Sequence, residues 1–260
     1  MKIKYFEINF EGINVKCKIY SPDPSNIKNV IISCHGYGGS KENKASQKLA
    51  ESLSYDNKNF ALITFDWPCH GTDIKQKLDL EECDKYFEAV IRYVSETFLP
   101  NKLILNATSF GGYLSLKYIA YHGNPFDSIV YRCPAINMYD VLRHSILNEE
   151  DMHELNKGKN ILSGFDRKMK ITPKFIEDLK NNPIEDIDFS MISDKTLIMH
   201  GNNDETVSYD VVKNFSRRNN IDFITIDGAD HMFKNPAKLK EAIDYSREYI
   251  EDCISENKIL

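Results

Sequence analysis

The hydrophobic positions of the chain change their period near residue 30. Residues 2–10 and 13–20 alternate apolar and polar side chains on either side of Glu11-Gly12, which predicts an antiparallel hairpin. Later in the chain, short continuous apolar runs alternate with segments of helical period. The runs cover residues 30–34, 60–65, 103–107, 129–133, 196–199 and 223–226. Strands that are apolar along their whole length are typical of a parallel sheet buried on both faces.

Helical periodicity fills most of the spaces between these strands. The predicted helices cover residues 44–55, 80–98, 113–121 and 209–217, and a last helix carries Leu239, Ala242, Ile243, Ile250 and Cys253 on its apolar side. Strands that alternate with helices indicate an α/β fold with a mostly parallel central sheet and helices on both faces. The N-terminal hairpin would add antiparallel strands at one edge.

Residues 137–190 interrupt this alternation. They carry many charges, a hairpin around Gly158 to Ile171, and a short helix with Thr172 as its N-cap and Pro173 at its first position. A segment of this length without a core strand predicts an insertion that lies over the sheet. The core of the domain would then consist of residues 1–136 and 191–260, and residues 137–190 would form a cap.

Composition narrows the classes of function. The 260 residues carry a net charge of −6, which argues against nucleic acid as the main partner. No apolar run approaches the ~18 residues of a membrane span, and the first residues lack the apolar core of a signal peptide. Six cysteines lie far apart without a C-x-x-C pair, so we expect reduced thiols in a cytoplasmic protein.

Ser109 lies where the strand at 103–107 meets the helix at 113–121. Ala107 lies two residues before it, and Gly111 and Gly112 follow it closely. A strand that turns directly into a helix holds the joint residue in a strained conformation and needs small neighbours. These residues therefore predict a nucleophile turn of the G-x-S-x-G type, with alanine in place of the first glycine. Taken alone, the pattern also fits a loop that caps a helix.

Further polar residues follow other strands. His35-Gly36-Tyr37-Gly38-Gly39 follows the strand at 30–34, Asp66 and His70 follow 60–65, Asp204 follows 196–199, and His231 follows 223–226. Ligands of such sheets bind beyond the carboxyl ends of the strands. Ser109, Asp204 and His231 thus predict a triad in the chain order serine, aspartate, histidine. Asp227 and Asp230 are rival carboxylates, but they lie too close to His231 along the chain.

These five loops together resemble those of the α/β-hydrolases, closest to the serine aminopeptidase-like and cinnamoyl (feruloyl) esterase-like serine hydrolases. The resemblance covers almost the whole chain. It implies that Ser109 is the nucleophile, His231 the general base and Asp204 its orienting partner. It assigns the oxyanion hole to the backbone N–H groups of Tyr37 and Phe110, and it implies no cofactor.

Other side chains near the predicted site have less specific interpretations. His35, His70 and Asp66 are predicted to be structural, and a reactive thiol at Cys69 lacks an evident base. The sequence shows no clustered metal-ligand spacing, so no metal site is predicted; His122, His144 and His153 are expected to be solvated. The insertion also carries apolar side chains that could either contact substrate or pack the cap onto the domain: Met138, Tyr139, Phe165 and Met169.

The resulting hypothesis is a carboxylesterase that cleaves small to medium acyl or aryl esters through an acyl-enzyme, with hydroxycinnamoyl esters suggested by the resemblance alone. The same machinery serves thioesterases, lysophospholipases and peptidases, so these alternatives stay open. A third class is a binding module that keeps the fold without catalysis, which the presence of all three triad residues disfavours. The expected partner is a small-molecule ester, and the sequence leaves open whether the chain forms a homodimer.

Overall fold

The central sheet is described by a computed structural model that covers residues 1–73, 75–164 and 167–255. Its strands and those of a small second sheet are β1 (Lys2–Phe10), β2 (Ile13–Ser21), β3 (Asn29–Cys34), β4 (Phe60–Phe65), β5 (Lys102–Thr108), β6 (Ser128–Arg132), β7 (Ile161–Ser163), β8 (Met169–Ile171), β9 (Thr196–Gly201) and β10 (Asp222–Ile226). Eight strands form the large sheet in the order β1-β2-β4-β3-β5-β6-β9-β10. The pairs β1-β2 and β2-β4 are antiparallel and the others are parallel, as predicted.

The N-terminal hairpin has a two-residue turn. Phe10 pairs with Ile13, and the two turn residues, Glu11 and Gly12, have φ values of 44° and 82°. Two consecutive positive φ values are the signature of the type I′ turn, whose twist matches that of the strands it joins. The hairpin is anchored through β2, whose Cys17 pairs with Phe65 of β4.

Helices cover both faces of the large sheet. They are α1 (Lys44–Leu53), α2 (Leu80–Phe98), α3 (Phe110–His122), α4 (Met138–Val141), α5 (Glu149–Asn156), α6 (Pro173–Asn181), α7 (Tyr209–Asn219) and α8 (Pro236–Ser255). Side chains of α1 and α8 share one core with Ile31 and Val130, whereas α2, α3 and α7 share the other core with Ile32 and Leu105. None of these helices has the combination of length and hydropathy that crossing a bilayer requires, within the three ranges given above.

Several predicted elements differ from the structure by one to three residues at their ends, and α1 and β9 are two examples. α1 stops at Leu53, two residues before its predicted end, and Ser54 caps it. β9 continues for two residues beyond its predicted end, because His200 and Gly201 pair with Thr225 and Ile226 of β10. The second difference affects the site, since it places His200 inside the sheet instead of in the following loop.

Residues 137–190 lie between β6 and β9 and contain α4, a π-helical turn at Leu142–Ile146, α5, the β7-β8 hairpin and α6. The hairpin and the cap of α6 were predicted, and Thr172 Oγ1 accepts a hydrogen bond of 3.2 Å from the Phe175 amide. The helices α4 and α5 were not predicted. That this segment acts as a cap over the site stays a prediction.

The segment is attached to loops at the carboxyl ends of the strands. Tyr113 of α3 donates a hydrogen bond of 2.9 Å to the carbonyl of Asn182. The Ser145 hydroxyl donates one of 3.0 Å to the carbonyl of Thr206, in the loop after β9. Arg167, beside β8, donates hydrogen bonds to four carbonyls of the loop after β4, those of His70, Gly71, Asp73 and Lys75.

Candidate active site

Ser109 occupies the turn between β5 and α3. Its φ and ψ are 52° and −118°, a strained backbone conformation for a residue with a side chain. The neighbours must be small, as the sequence indicates, because a Cβ on Gly111 would lie 2.7 Å from the carbonyl oxygen of His35. Because Ser109 begins α3 without capping it through its side chain, its hydroxyl is available for another partner.

The hydroxyl meets a histidine that is distant along the chain. Ser109 Oγ lies 3.0 Å from Nε2 of His231, and Nδ1 of His231 lies 2.7 Å from Oδ2 of Asp204. The three residues follow β5, β9 and β10, beyond the carboxyl ends of these strands. Ser109 and His231 are each 8% exposed, so the hydroxyl and the imidazole are largely screened from water. The structure therefore brings together the three residues predicted as a triad.

The two loops that carry Asp204 and His231 pack directly against each other. A Cβ on Gly201 would lie 2.2 Å from the carbonyl oxygen of Ala229, so only glycine allows this approach. The rival carboxylates are engaged elsewhere: Asp227 accepts from the Asn202 amide at 2.8 Å, and Asp230 accepts from the Lys234 backbone at 3.1 Å.

The carboxylate of Asp204 is held by several donors. Oδ1 accepts hydrogen bonds from the amides of Thr206 at 2.9 Å and Val207 at 2.8 Å. Oδ2 faces His231 and also His200, whose Nε2 lies 3.1 Å away. Burial alone would raise the pKa of this carboxyl, but the hydrogen bonds from His200, His231 and Val207 hold the pKa well below its usual range. Asp204 is thus an anion when it faces the imidazole of His231.

His200 is the residue near the site whose position sequence analysis did not foresee. It is fully buried, and its Nε2 also lies 3.1 Å from the carbonyl oxygen of Val207. Both neighbours are acceptors, which indicates that Nε2 carries a proton. The signal in the sequence was the four-residue spacing between His200 and Asp204, but such a spacing predicts a contact only once the intervening turn is known.

The predicted oxyanion hole lies beside Ser109. A Cβ on Gly36 would meet Cβ of Ser109 at 3.1 Å, so the loop that carries Tyr37 runs directly against the serine. Gly38 has a φ of 74°, and the Gly39 amide donates to the Gly36 carbonyl at 3.0 Å, which closes the loop into a tight turn. Phe110 begins α3, where backbone N–H groups lack partners within the helix. The role of both N–H groups stays a prediction.

A family model described as the alpha/beta hydrolase fold matches residues 29–168, more than half of the chain. The chain belongs to the alpha/beta hydrolase family. No curated protein sequence matches it.

Several solved structures are similar to this hydrolase over 96% of its length. Est1E from Butyrivibrio proteoclasticus, solved with ferulic acid bound, has 21% sequence identity and a TM-score of 0.78 over 99% of its own chain. Alpha/beta hydrolase domain-containing protein 10 from mouse has 17% identity and a TM-score of 0.72 over 99% of its chain. A serine hydrolase without lid from Xanthomonas campestris has 15% identity and a TM-score of 0.65 over 94% of its chain. At these identities the similarity shows the fold.

Two buried histidines of this hydrolase contact the loop at residues 36–39 and the first residue of α3, both next to Ser109. His35 Nδ1 lies 2.8 Å from the Gly36 carbonyl, and its Nε2 accepts from the Trp67 amide at 3.4 Å. The His70 ring stacks on Phe110 with ring centroids 6.3 Å apart. Burial lowers the pKa of His35 to about 4 and the pKa of His70 to about 3, so both rings are neutral near pH 7.

Asp66 and Cys69 occupy structural positions in this hydrolase. Asp66 is fully buried, and its carboxylate accepts hydrogen bonds from the backbone and the ammonium of Lys41 at 2.7 and 2.8 Å. Cys69 has a φ of 69° and is also fully buried. Burial raises the pKa of its thiol to about 12, which disfavours the thiolate that a reactive cysteine needs.

The two predicted substrate contacts have different outcomes. Tyr139 lies on α4, is partly buried, and lines a small pocket whose other walls include Tyr113, Met138, Leu179 and Asn182. Phe165 lies outside the described residues. A role in binding substrate therefore stays a prediction for both side chains.

No metal site was predicted from the sequence. One group of side chains nevertheless has potential ligand atoms close enough together to bind a metal ion. Cys133, His200 and Asp204 each offer one ligand atom, and these atoms lie within 4.8 Å of one another. The fit is poor, because burial raises the pKa of the Cys133 thiol well above its usual value and Asp204 Oδ2 already faces two imidazoles. A metal bound there would compete with His231 for the carboxylate.

Proposed function

We propose that this hydrolase is a carboxylesterase that works through an acyl-enzyme on Ser109. The observation that carries the proposal is the continuous series of contacts from Ser109 Oγ to His231 at 3.0 Å and from His231 to Asp204 at 2.7 Å. A serine hydroxyl is a weak nucleophile unless a base removes its proton, and a neutral imidazole is suited to do so near pH 7.

The proposed acylation step follows from the tautomer of His231. Because Nδ1 faces the anionic Asp204, it carries the proton, and Nε2 presents its lone pair to the Ser109 hydroxyl. His231 takes the hydroxyl proton as Ser109 Oγ attacks the ester carbonyl, and Asp204 stabilises the imidazolium that forms. The imidazolium then gives its proton to the leaving alcohol as the tetrahedral intermediate collapses.

Deacylation would repeat these steps with water as the nucleophile. In both halves, negative charge develops on the former carbonyl oxygen of the substrate. We assign its stabilisation to the backbone N–H groups of Tyr37 and Phe110, which need no side chain and cost no reorganisation. In other enzymes the loss of one such donor lowers turnover by ~10²–10³-fold.

We infer that the substrates are small to medium acyl or aryl esters. The pocket lined by Tyr113 and Tyr139 offers apolar and aromatic walls between α4 and α6, in the segment proposed as a cap. Ferulic acid is bound by Est1E, whose fold is similar, and this makes hydroxycinnamoyl esters the first aryl substrates to examine.

A fluorophosphonate probe tests the nucleophile directly. We expect stoichiometric labelling of the wild-type protein and no labelling of Ser109→Ala, with Ser25→Ala as a control because Ser25 is an exposed serine in the loop between β2 and β3, where it donates to Asp23. Circular dichroism would show that each variant is folded. An unlabelled wild-type protein, or equal labelling of Ser109→Ala, would reject the catalytic proposal.

The chemical class of substrate can be determined with a matched panel. Acyl p-nitrophenyl esters of increasing chain length, methyl ferulate, an acyl thioester and the corresponding amide would be compared by kcat/KM. We expect esters to exceed amides by several orders of magnitude. A preference for the amide would instead favour a peptidase, and a preference for the thioester would favour a thioesterase.

A further inference from the structure

Arg132 ends β6, directly behind the nucleophile turn. Its backbone carbonyl accepts a hydrogen bond of 3.1 Å from the Ser109 amide, so its backbone belongs to the framework of the site. Its side chain points to the opposite face of the sheet, towards α1 and α8. There the guanidinium lies over the ring of Phe233, with 5.0 Å between the guanidinium carbon and the ring centroid.

The guanidinium has no anionic partner in the part of the chain that the structure describes. Nε of Arg132 is buried without a hydrogen-bond partner, and none of the ion pairs involves this residue. Burial lowers the pKa of Arg132 below its ordinary value, and an arginine stays charged all the same. The side chain as a whole is partly buried, and a charge in such a position is normally paired with a charge of opposite sign.

Arg132 lines a small pocket that opens to solvent. Its polar lining comes from the start of α1, the end of β5 and the middle of α8, and consists of Asn43, Ser46, Asn106, Thr108 and Ser246. No acidic side chain is among the described residues that line it. The Asn106 amide donates to Ser33 Oγ at 2.9 Å and the Ser246 hydroxyl donates to the Ala242 carbonyl at 2.8 Å, so the positive charge of Arg132 is the main feature that suits an anion.

The N-terminus of α1 adds to the positive potential of this pocket. Asn43 caps the helix by accepting hydrogen bonds from the amides of Ala45 and Ser46, at 2.8 and 3.3 Å. The start of a helix carries a partial positive charge, which favours an anion nearby. The Asn43 cap satisfies these amides, so the helix contributes its field while Arg132 would supply the direct contact.

We propose that the pocket between α1, α8 and the end of β6 binds a small inorganic anion, of a size from chloride to phosphate, through the Arg132 guanidinium. The planar guanidinium donates two parallel hydrogen bonds to an oxyanion such as phosphate, and the hydroxyl of Thr108 lies in the same pocket. The pocket is distinct from the triad, which lies beyond the carboxyl ends of the strands and involves other side chains.

An occupied pocket would also stabilise the loop that carries the proposed base. Phe233, on which the guanidinium stacks, follows His231 by two residues and is buried. An anion that orders Arg132 would order Phe233 and hence limit the motion of His231. The simpler alternative is that Arg132 serves only as a packing partner of Phe233 and needs no anion.

Thermal unfolding distinguishes these alternatives without reference to activity. The midpoint Tm of the full chain would be measured against phosphate concentration, and separately against chloride, at constant ionic strength with fluoride as the balancing anion. A ligand that binds only the folded state raises Tm in a saturable manner. We expect a rise of a few degrees in the wild-type protein, and a weakening of the apparent anion affinity by about ten-fold or more in Arg132→Gln.

The matched control is Arg218→Gln. Arg218 also stacks on a phenylalanine, at 5.8 Å from Phe215, but it is exposed and pairs with Asp186, so its replacement should leave the anion dependence of Tm unchanged. Equal anion dependence in wild type and Arg132→Gln would overturn the proposal. Bromide soaked into wild-type crystals gives a second test that needs no variant, since an anomalous peak must appear beside Arg132 and its absence would overturn the proposal as well.

Discussion

Asp204 shares one carboxylate oxygen between two histidines, and this is the most specific arrangement at the residue scale. His231 lies on the side of the reacting serine, and His200 approaches the same Oδ2 from within the sheet. A second donor limits rotation of the carboxylate, so that Oδ2 keeps its distance of 2.7 Å from Nδ1 of His231. His200 would therefore act as a positioning residue that does not touch the substrate.

The first prediction concerns His200→Phe. Phenylalanine keeps most of the buried volume but removes the donor to Asp204, and a hydrogen bond to a charged group contributes about 1.5–3 kcal/mol. We expect kcat for p-nitrophenyl acetate to fall by about ten-fold or more with little change in KM. Asp204→Asn, which removes the charge itself, should cost ~10⁴-fold and gives the upper limit for comparison. An unchanged kcat in His200→Phe would contradict the positioning role.

The sequence indicated these residues to different degrees. Ser109 was identifiable because a strained turn demands small neighbours, and Gly111 shows why, since its Cβ would collide with the backbone of His35. Asp204 could be preferred over Asp230 because it follows a different strand from His231. The contact of His200 with Asp204 could not be predicted, since it depends on a turn whose geometry no residue pattern specifies.

At the scale of elements, the β7-β8 hairpin is held to the core through Arg167, through two backbone hydrogen bonds of Lys170 with Gln76 and Leu78, and through buried side chains of β8. The Arg167 guanidinium donates to four carbonyls of residues 70–75, including those of Gly71 at 3.1 Å and Lys75 at 2.6 Å. The hairpin strands are three residues each, too short to be stable alone. Arginine suits this position because its planar fork presents several donors, whereas lysine presents one ammonium group.

The second prediction follows from that attachment. In Arg167→Met the four carbonyls lose their common donor, so the hairpin should separate from the core more often. We expect chymotrypsin to cut within residues 157–171 several-fold faster than in the wild-type protein. The neighbouring Lys168→Met serves as a control, because Lys168 is exposed and donates to the carbonyl of Gly164 within the same hairpin. Equal cleavage rates in both variants would mean that packing and the backbone hydrogen bonds of Lys170 hold the hairpin without Arg167.

Within residues 137–190, the elements that could be predicted were those with clear turn or helix-cap residues in the sequence. A hairpin was placed around Gly158 to Ile171, and α6 was found because Thr172-Pro173 marks a helix start; the N1 proline and the cap are both present. α4 and α5 were missed. Each is at most eight residues long, they are joined by a π-helical turn, and their charged sequences carry no sustained apolar period.

At the scale of the whole molecule, buried neutral histidines link stability to pH. The pKa values of His35 and His70 are lowered by burial to about 4 and about 3, from an ordinary value near 6.5 in the unfolded chain. Between these values the unfolded chain binds protons that the folded chain does not. Stability is therefore fully present above pH 6.5 and falls as the pH drops through the window towards 4 and 3.

The third prediction tests this link with His70→Phe, which preserves the stacking on Phe110. Each such histidine contributes a slope of about 1.4 kcal/mol per pH unit well inside the window. The free energy of unfolding in urea, measured from pH 6.5 to pH 5, should fall less steeply in the variant by about that amount. His153→Phe is the control, because His153 is exposed in the folded protein. Parallel slopes for wild type and His70→Phe would contradict the prediction.

The order of the strands in the large sheet could not be predicted from the sequence. Alternating strands and helices predicted a parallel sheet, but the position of β4 between β2 and β3 depends on contacts between Cys17 and Phe65 and their neighbours, far apart along the chain. The hydrophobic periodicity of a strand or helix indicates which of its faces is buried. It does not indicate which other strand or helix packs against that face. The strand order was therefore not predicted.

β6 and β9 are hydrogen-bonded neighbours, although residues 133–195 separate them along the chain. The two ends of this segment therefore lie close together, beside adjacent strands of the central sheet. Insertions, deletions or replacements within residues 133–195 would therefore leave Ser109, Asp204 and His231 in the same order along the chain and after the same strands. Under the proposed function, changes confined to this segment would alter which esters are accepted and would leave the triad residues in place.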